Sequence, residues 1–598
     1  MRDIHQVLQE HWGYSAFRPV QEDVIRSALA GRDTLALLPT GGGKSICYQV
    51  PALAMGGLCV VVSPLIALMK DQVDRLRKQG IPAKALISGM GYAEMENTLE
   101  ACVHGKCSFL YVSPERLRTD LFRARAPRLP VKLIAVDEAH CISQWGYDFR
   151  PTYMAIPEFR ALYPAVPVLA LTATATQQVA DDIMQRLAFV DGRCIRAPFA
   201  RPELALWVAY GEDKIGKLLR IAERVPGSGI VYLRDRKGTV RLSQLLRENG
   251  VSASAYHAGM RMEDRDAVQQ AWSKGEVRFV AATNAFGMGI DKGDVRAVVH
   301  MELPPDIESW YQEAGRAGRD GQPSHAFLLL GPGDRERAAQ KLESSFPTLA
   351  QVRLVYQAFA DMHRIALGAG QFETYELDLR GLAERSAQTP AAVMNAMKAL
   401  ELNGDLSLSD GVHSPSRVFM RASSNTVYDL RLRDARLGPL LEGLLRLYGG
   451  LFEEASIVEE LRLAKHLEWS ASTVKERLLE LQKLGILHYQ SASEAPSATL
   501  LVPRRDAQRL MLDPAALAER KQRATDRLTA MIALASPKTR CRERAALEYF
   551  GEQARADCGR CDRCKARAHQ DAATASTPLN ATDDDLHQAR WLADEQGA

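Results

Sequence analysis

At 598 residues the chain is longer than one hydrophobic core serves, and typical domain sizes imply roughly four domains. Hydrophobic residues at 46% and charged residues at 25% exclude a fibrous or generally disordered chain. A net charge of +3 is too small at this length to point to nucleic acid, so any such partner has to be read from local patterns.

The opening MRDIHQVLQEHWGY lacks the apolar core of a signal peptide, and the longest apolar run, 58–69, is interrupted by Ser63 and Pro64. Both features predict a cytoplasmic protein. Residues 1 to about 28 read as a helical lead-in containing Tyr14, Arg18 and Gln21, whose spacing of four and then three suits one helical face.

LALLPTGGGKSICYQVPAL, at 35–53, passes from an apolar run through Pro39, Thr40, Gly41, Gly42 and Gly43 to Lys44, Ser45 and a helix-compatible continuation. Strand, loop and helix in that order make a nucleotide site. Glycines let backbone N–H groups approach a polyphosphate, the helix N-terminus favours negative charge, Lys44 reaches the terminal phosphates and Ser45 ligates Mg²⁺. Leu38 stands where the strict pattern has glycine, so the match is to the TGGGKS form.

Short apolar runs at 58–63, 108–113, 131–137 and 166–174 alternate with helix-length segments, the pattern of a parallel α/β sheet. VDEAH, at 136–140, follows one of these runs and predicts Asp137 and Glu138 at the carboxyl end of a strand neighbouring the phosphate loop. There Asp137 can hold Mg²⁺ and Glu138 can orient the attacking water. HCISQWGYDFRPTY, at 140–153, packs Trp145, Tyr147, Phe149 and Tyr153 beside Arg150. Aromatics this dense in a turn can stack bases, and adjacency to the carboxylates predicts a loop that senses DNA and reports to ATP, with His140, Trp145, Phe149 and Arg150 as its coupling residues.

A second alternating series begins near Arg201, with runs at 229–233, 251–257, 277–283, 295–302 and 325–330, and has no phosphate loop of its own. A nucleotide on the first lobe would face this second lobe. QEAGRAGRD supplies Gln312, Arg316 and Arg319, with both arginines expected on one side of a helix.

Beyond residue 335 the chain reads as largely helical, with small helical units over 373–420 and 453–505 that have strand-like ends. In the second, STVKERLLELQKLGILHYQ followed by PSATLLVPRR predicts a recognition-type helix and a two-stranded wing. Six cysteines are scattered, whereas Cys541 and, after sixteen intervening residues, the CxxCxxC of Cys558, Cys561 and Cys564 form a cluster. Four thiolates at this spacing close a tetrahedral, structural Zn²⁺ site. AHQDAATASTPLNATDDD has the small, polar composition of a disordered tail.

TGGGKS, SPLIALMKDQ, SPERL, DEAH, LTATAT, YHAGM, TNAFGMGIDK and YQEAGRAGRDG occur in this order and together resemble the RecQ family of superfamily 2 DNA helicases over most of 1–335. The resemblance implies ATP-driven, 3′ to 5′ translocation on single-stranded DNA with duplex unwinding in recombination and repair. The implied cofactors are ATP, Mg²⁺ and Zn²⁺, and the implied partner is single-stranded and partly duplex DNA, bound by a monomer. By motif, Tyr14, Arg18 and Gln21 match adenine-recognising residues and Arg319 matches an arginine finger. Two departures stand out: Tyr147 replaces the family's usual His, and the zinc module, which usually follows the second lobe directly, comes last.

The fold class expected is α/β, with two RecA-like parallel-sheet lobes over 1–200 and 201–335. An accessory region over 336–450, either helical or winged-helix, a winged-helix-like domain over 451–506, a helical platform with zinc module over 507–566 and a tail over 567–598 complete the expected layout. Two rivals share parts of the pattern. An RNA helicase has the same ATP site, but the aromatic loop and the cysteine cluster argue against it; a winged-helix regulator with a switch-like ATP site does not need the complete catalytic motifs.

Overall fold

Strands buried on both faces between helical layers read as continuous apolar runs, and the two lobes consist of such strands. The computed structural model describes residues 2–574 except 40, 88–89, 147, 287–291, 410–415, 454–455, 492–495 and 555. In the first lobe β1 (Thr34–Leu37), β2 (Leu58–Val62), β3 (Ala83–Leu86), β4 (Phe109–Val112), β5 (Val131–Val136), β6 (Val168–Thr172) and β7 (Arg193–Arg196) form a parallel sheet. Its order is β3-β4-β2-β5-β6-β1-β7. β3 and β7 have no counterpart among the apolar runs because they are the edge strands, with half-buried and polar positions.

The second lobe is a parallel sheet of β8 (Leu204–Tyr210), β9 (Ser228–Tyr232), β10 (Ala253–Tyr256), β11 (Phe279–Ala282), β12 (Val295–His300) and β13 (Ser324–Leu330). Its order is β10-β11-β9-β12-β13-β8, one strand more than the sequence pattern showed. The helical lead-in is two helices, α1 (Ile4–Trp12) and α2 (Gln21–Leu29). Gly13 takes the left-handed conformation (φ 72°) that closes a helix, so Tyr14 and Arg18 lie in the connecting loop and do not share a helical face with Gln21.

The accessory half departs most from expectation. β14 (Thr374–Glu376), β15 (Leu406–Ser409), β16 (Arg417–Met420), β17 (Ser456–Ile457), β18 (Leu487–Gln490) and β19 (Ser497–Leu500) make two antiparallel sheets, β14-β19-β15 and β17-β16-β18. The wing expected from 487–490 and 497–500 is therefore not a pair: β18 pairs with β16, and β19 returns to the centre of the other sheet. The cores follow the pairing. Val352, Leu382, Leu400, Leu406, Leu500 and Leu510 pack in one, and Val418, Leu441, Leu463, Leu478 and Tyr489 pack in the other. A division at 450/451 does not separate them, because the unit around β16–β18 is inserted into a unit that closes only when β19 comes back.

Among the described residues the C-terminal segment builds no apolar core of its own beyond its cysteine cluster. Leu528, Met531, Leu534, Ala546, Leu547 and Phe550 share the core of the second lobe with Trp310 and Tyr311. The cysteine-bearing segment, last in sequence, is thus the second lobe's neighbour in space, and the accessory units are an insertion between the two. Of the tail expected over 567–598, residues to 574 continue the helix Asp562–Thr574 and the remainder lies outside the described residues. Among the described residues no helix is long and apolar enough to cross a membrane.

Leu500 is 1% exposed on the central strand of its sheet. Leu500→Ala is expected to remove about 2–5 kcal/mol of local stability. Hydrogen exchange should then rise across 352–406 and stay slow across 418–489; an equal rise in both would show a single cooperative core.

Candidate nucleotide site, aromatic loop and zinc centre

The phosphate loop leaves β1 and enters α3 (Lys44–Met55), so Lys44 and Ser45 project from the positive end of a helix. Gly41 (φ 82°) and Gly43 (φ 72°) are both left-handed, and both are crowded. A Cβ on Gly43 would lie 2.3 Å from Nε2 of Gln21, and one on Gly41 would lie 2.8 Å from Cδ of Arg319. Only glycine satisfies both the conformation and the contact.

Two of the three residues expected at adenine meet this loop. The Gln21 amide donates to the carbonyls of Gly42 (3.0 Å) and Gly43 (3.2 Å), and its own carbonyl accepts from the Arg18 N–H (2.8 Å). The Arg18 guanidinium also donates to the Gly41 carbonyl. Tyr14 is exposed on the loop before them, and Thr40 lies outside the described residues.

Asp137 and Glu138 follow β5, but β5 does not neighbour β1 as expected, because β6 lies between them. The reach of Lys44 bridges the gap, with Nζ 3.4 Å from Oε1 of Glu138. Glu138 sits at φ 46°, and its Oε2 is 3.3 Å from Nδ1 of His140, which hydrogen-bonds Oγ1 of Thr172 (2.9 Å) at the end of β6. Asp137 accepts from the Ser63 hydroxyl (3.4 Å), and its backbone carbonyl accepts from the Tyr153 hydroxyl (2.9 Å). Burial and the adjacent Glu138 charge push the Asp137 carboxyl up to about 6. Burial acts on Glu138 in the same sense, but Lys44 and His140 outweigh it and bring that carboxyl down to about 2. Two neighbouring carboxylates are thereby set apart in basicity. Ser63, Tyr153 and Thr172 were not singled out as site residues; the legible signal was a hydroxyl directly after, or in the loop beyond, an apolar run.

In the second lobe Gln312 lies on the helix Ile307–Ala314, whereas Arg316 and Arg319 lie in the turns after it. The helix ends at Ala314, and in the turns beyond it Gly318 (φ 67°) takes the left-handed conformation and hooks its N–H onto the Val295 carbonyl (3.0 Å). The two arginines therefore do not share a helical face. Arg316 is buried near Tyr232, and the Arg319 side chain crosses to the phosphate loop and lies against Gly41.

His140 is buried in the aromatic loop. Arg150 is turned inward: Nε and Nη2 donate to Oδ2 of Asp148 (3.1 and 3.0 Å), and Nη1 donates to the Pro64 carbonyl (3.2 Å). Trp145 is 37% exposed, so it is not a core residue. The Trp145 and Phe149 rings face Arg523 (4.8 Å) and Arg520 (6.0 Å) of the helix Pro514–Ala535, a contact nearly four hundred residues apart that no local pattern announces. Tyr147 lies outside the described residues.

The Sγ atoms of Cys541, Cys558, Cys561 and Cys564 lie within 4.8 Å of one another. Backbone N–H groups of Cys558 (3.3 Å) and Arg544 (3.5 Å) point at Cys541 Sγ, and that of Arg542 points at Cys561 Sγ (3.5 Å). Four convergent sulfurs with N–H donors suit thiolates, and the set fits a closed Zn²⁺ site. Buried Arg542 makes a two-pronged pair with Asp562 (3.0 and 2.8 Å) and donates to the Leu534 and Ser536 carbonyls (both 2.6 Å), tying the cluster to its platform helix. Beyond it, Phe550 stacks on Phe199 (4.8 Å) and meets Tyr311 (5.4 Å), while the Tyr549 hydroxyl donates to Glu308 (2.8 Å).

The DEAD/DEAH box helicase family matches residues 18–183, and the helicase conserved C-terminal domain matches 213–321. The RecQ helicase winged-helix domain described for Bacteroidota matches 418–491, coincident with the inserted core, and the RecQ zinc-binding family matches 504–565. "Probable ATP-dependent DNA helicase RecS" of Bacillus subtilis is 40% identical over 357 residues, 59% of this chain and 72% of that protein. The chain belongs to the RecQ family of helicases. Two other RecQ relatives, each named "ATP-dependent DNA helicase RecQ", come from Pasteurella multocida (44% identical over 329 residues, 55% of this chain and 52% of that one) and Haemophilus influenzae (45% over 329 residues, 55% and 53%). The chain spans about half the length of these two relatives.

One Zn²⁺ per chain is expected by metal analysis of protein purified without chelator. Because the cysteine segment shares the second lobe's core, Cys561→Ser should speed hydrogen exchange in the helix Ile307–Ala314 as well as in 541–564, while α3 keeps its protection.

Proposed function

We propose that this protein is an ATP-dependent DNA helicase that couples hydrolysis between its two lobes to 3′ to 5′ translocation on single-stranded DNA and to unwinding, in recombination and repair. The observation that carries the reading is Arg319 of the second lobe lying on Gly41 of the phosphate loop. A cation delivered from the opposite lobe makes turnover depend on lobe closure, and a motor needs that dependence. The printed names of the relatives supply the DNA part of the reading.

In this reading Lys44 and the loop glycines hold the terminal phosphates, and Tyr14, Arg18 and Gln21 hold adenine, with Arg18 and Gln21 exchanging their present bonds to loop carbonyls for bonds to the base. Ser45 and Asp137 would hold Mg²⁺, which when bound neutralises phosphate charge. Glu138 orients the attacking water, and its low basicity keeps it ionised. Arg319 meets charge developing on the γ-phosphate, with Gln312 and Arg316 in the same motif. Residues 1–200 and 201–335 are the two RecA-like lobes, and single-stranded and partly duplex DNA is the partner of a cytoplasmic monomer. His140 links Glu138 to Thr172 and, with the aromatic loop, relays DNA contact.

Lys44→Ala and Glu138→Gln are each expected to abolish DNA-stimulated ATP hydrolysis while DNA binding persists; parental hydrolysis by either variant would refute the chemistry. Arg319→Ala should keep nucleotide affinity and lose turnover by a factor on the order of 10³–10⁵, read from kcat at saturating ATP. Unwinding of tailed DNA duplexes of both polarities, against matched RNA duplexes, tests substrate and direction: preference for RNA would replace the DNA reading.

A further inference from the structure

The two lobes are joined by a short connector, since β7 ends at Arg196 and β8 begins at Leu204. The Ala197 N–H still donates to the Leu37 carbonyl (2.9 Å) of the first lobe. Two residues later the Phe199 N–H donates to Glu552 (2.7 Å) of the cysteine-bearing segment, and the Phe199 carbonyl accepts from the Tyr311 hydroxyl. Pro198, which has no N–H to offer, lies between these attachments. The connector thus passes from the first lobe to the second within one residue.

Arg201 is the point where the connector meets both the cysteine-bearing segment and the arginine turn. Its N–H donates to Glu543 (3.3 Å), and its carbonyl accepts from Arg560 (3.0 Å). Arg560 also pairs with Glu543 (2.5 and 2.6 Å) and donates to the Leu204 carbonyl (3.2 Å). Glu543 and Arg560 flank the expected metal ligands, two residues after Cys541 and one before Cys561. The Arg201 guanidinium serves the turn: Nη1 donates to the Gly315 carbonyl (3.2 Å) and Nη2 to the Ala317 carbonyl (3.0 Å), while Nε donates to Glu203.

Those two carbonyls belong to the stretch that carries Arg316 and Arg319. They follow the C-terminus of the helix Ile307–Ala314, where backbone carbonyls lack intrahelical partners and carry partial negative charge. A planar fork satisfies two such acceptors at once, which a point-like ammonium does not. Its side chain is 11% exposed, so water has little access to replace it. Glu203 closes the same turn, for a Cβ on Gly318 would lie 3.0 Å from its Cγ, and its carbonyl accepts from the Ser324 N–H (2.8 Å).

We propose that Arg201 is a positioning residue for Arg319: its fork holds the turn that presents Arg319 to the phosphate loop, and the cysteine-bearing segment in turn holds Arg201. The proposal rests on the helicase reading and adds to it a residue outside the motifs read from the sequence. Arg201 acts through Arg319 and not on the nucleotide. A rotation of the lobes at Pro198 keeps Arg201, the turn and the cysteine-bearing segment together as one body, so Arg319 approaches or leaves the phosphate loop with the whole second lobe.

The test compares Arg201→Gln and Arg201→Lys with the parental full chain, zinc-loaded, by steady-state ATP hydrolysis, binding of a fluorescent non-hydrolysable ATP analogue and hydrogen exchange. A misplacement of about 1 Å at a reacting centre costs on the order of 10²-fold, so Arg201→Gln should lower kcat at saturating ATP by about that factor while analogue affinity stays parental. Lysine keeps the charge but supplies one point donor, and Arg201→Lys should recover part of the loss. Exchange in Arg201→Gln should quicken at the amides of 315–320 and stay parental across 541–564. In an Arg319→Ala background Arg201→Gln should lower kcat no further, because the two residues act as a unit. Parental kcat in Arg201→Gln, or losses that multiply in the double variant, would overturn the positioning role. Faster exchange across both segments would overturn it too, as the mark of a residue that only supports the fold. Parental hydrolysis by Arg319→Ala alone would instead sink the two-lobe reading, and quickened exchange at 315–320 in Arg201→Gln would still uphold the clamp on the turn.

Discussion

A side chain on residue 41 would collide with Arg319. That one missing Cβ lets the second lobe rest on the phosphate loop of the first, and the arrangement of the active residues depends on it. Lys44, Glu138, His140 and Thr172 form a chain of contacts across three strands of one lobe, whereas Arg319 reaches the loop from the other lobe. A rotation that lifted Arg319 would take a cation away from the loop.

What holds Arg319 in place is the packing behind it. The turn that carries it follows a helix whose residues Glu308 and Tyr311 are gripped by Tyr549 and Phe550 of the cysteine-bearing segment. This segment is too small to bury a core of its own and borrows that of the second lobe, so metal binding, local folding and the position of the arginine turn are parts of one packing unit. Its late place in the sequence has no counterpart in space. The chain leaves the second lobe, builds the accessory units and returns.

The accessory units show the same economy of topology. The inserted core lies in sequence between β15 and β19, two paired strands of the outer unit. Insertion at a pair of strand ends places the inserted domain's termini side by side, an arrangement that leaves both hydrophobic cores intact.

The sequence by itself determined what depends on neighbours along the chain. Two parallel sheets were legible because doubly buried strands are continuous apolar runs, the phosphate loop because glycine, lysine and serine have fixed offsets, and the metal centre because its cysteines cluster. Legibility ended where a partner was distant or a local break intervened. One helix ended at Gly13 before Tyr14 and another before Arg316, so Tyr14, Arg18, Arg316 and Arg319, expected on helical faces, lie in loops and turns. Strand pairing in the accessory half was not legible, since alternation marks which face of a strand is buried but carries no address for its partner. Only the tertiary structure decided that β6 separates β5 from β1, that β19 belongs with β14 and β15, and that Arg520 and Arg523 cover the aromatic loop. The physical reason is common to all three: they are contacts between segments far apart in sequence, fixed by how whole sheets and helices pack and not by any residue's neighbours.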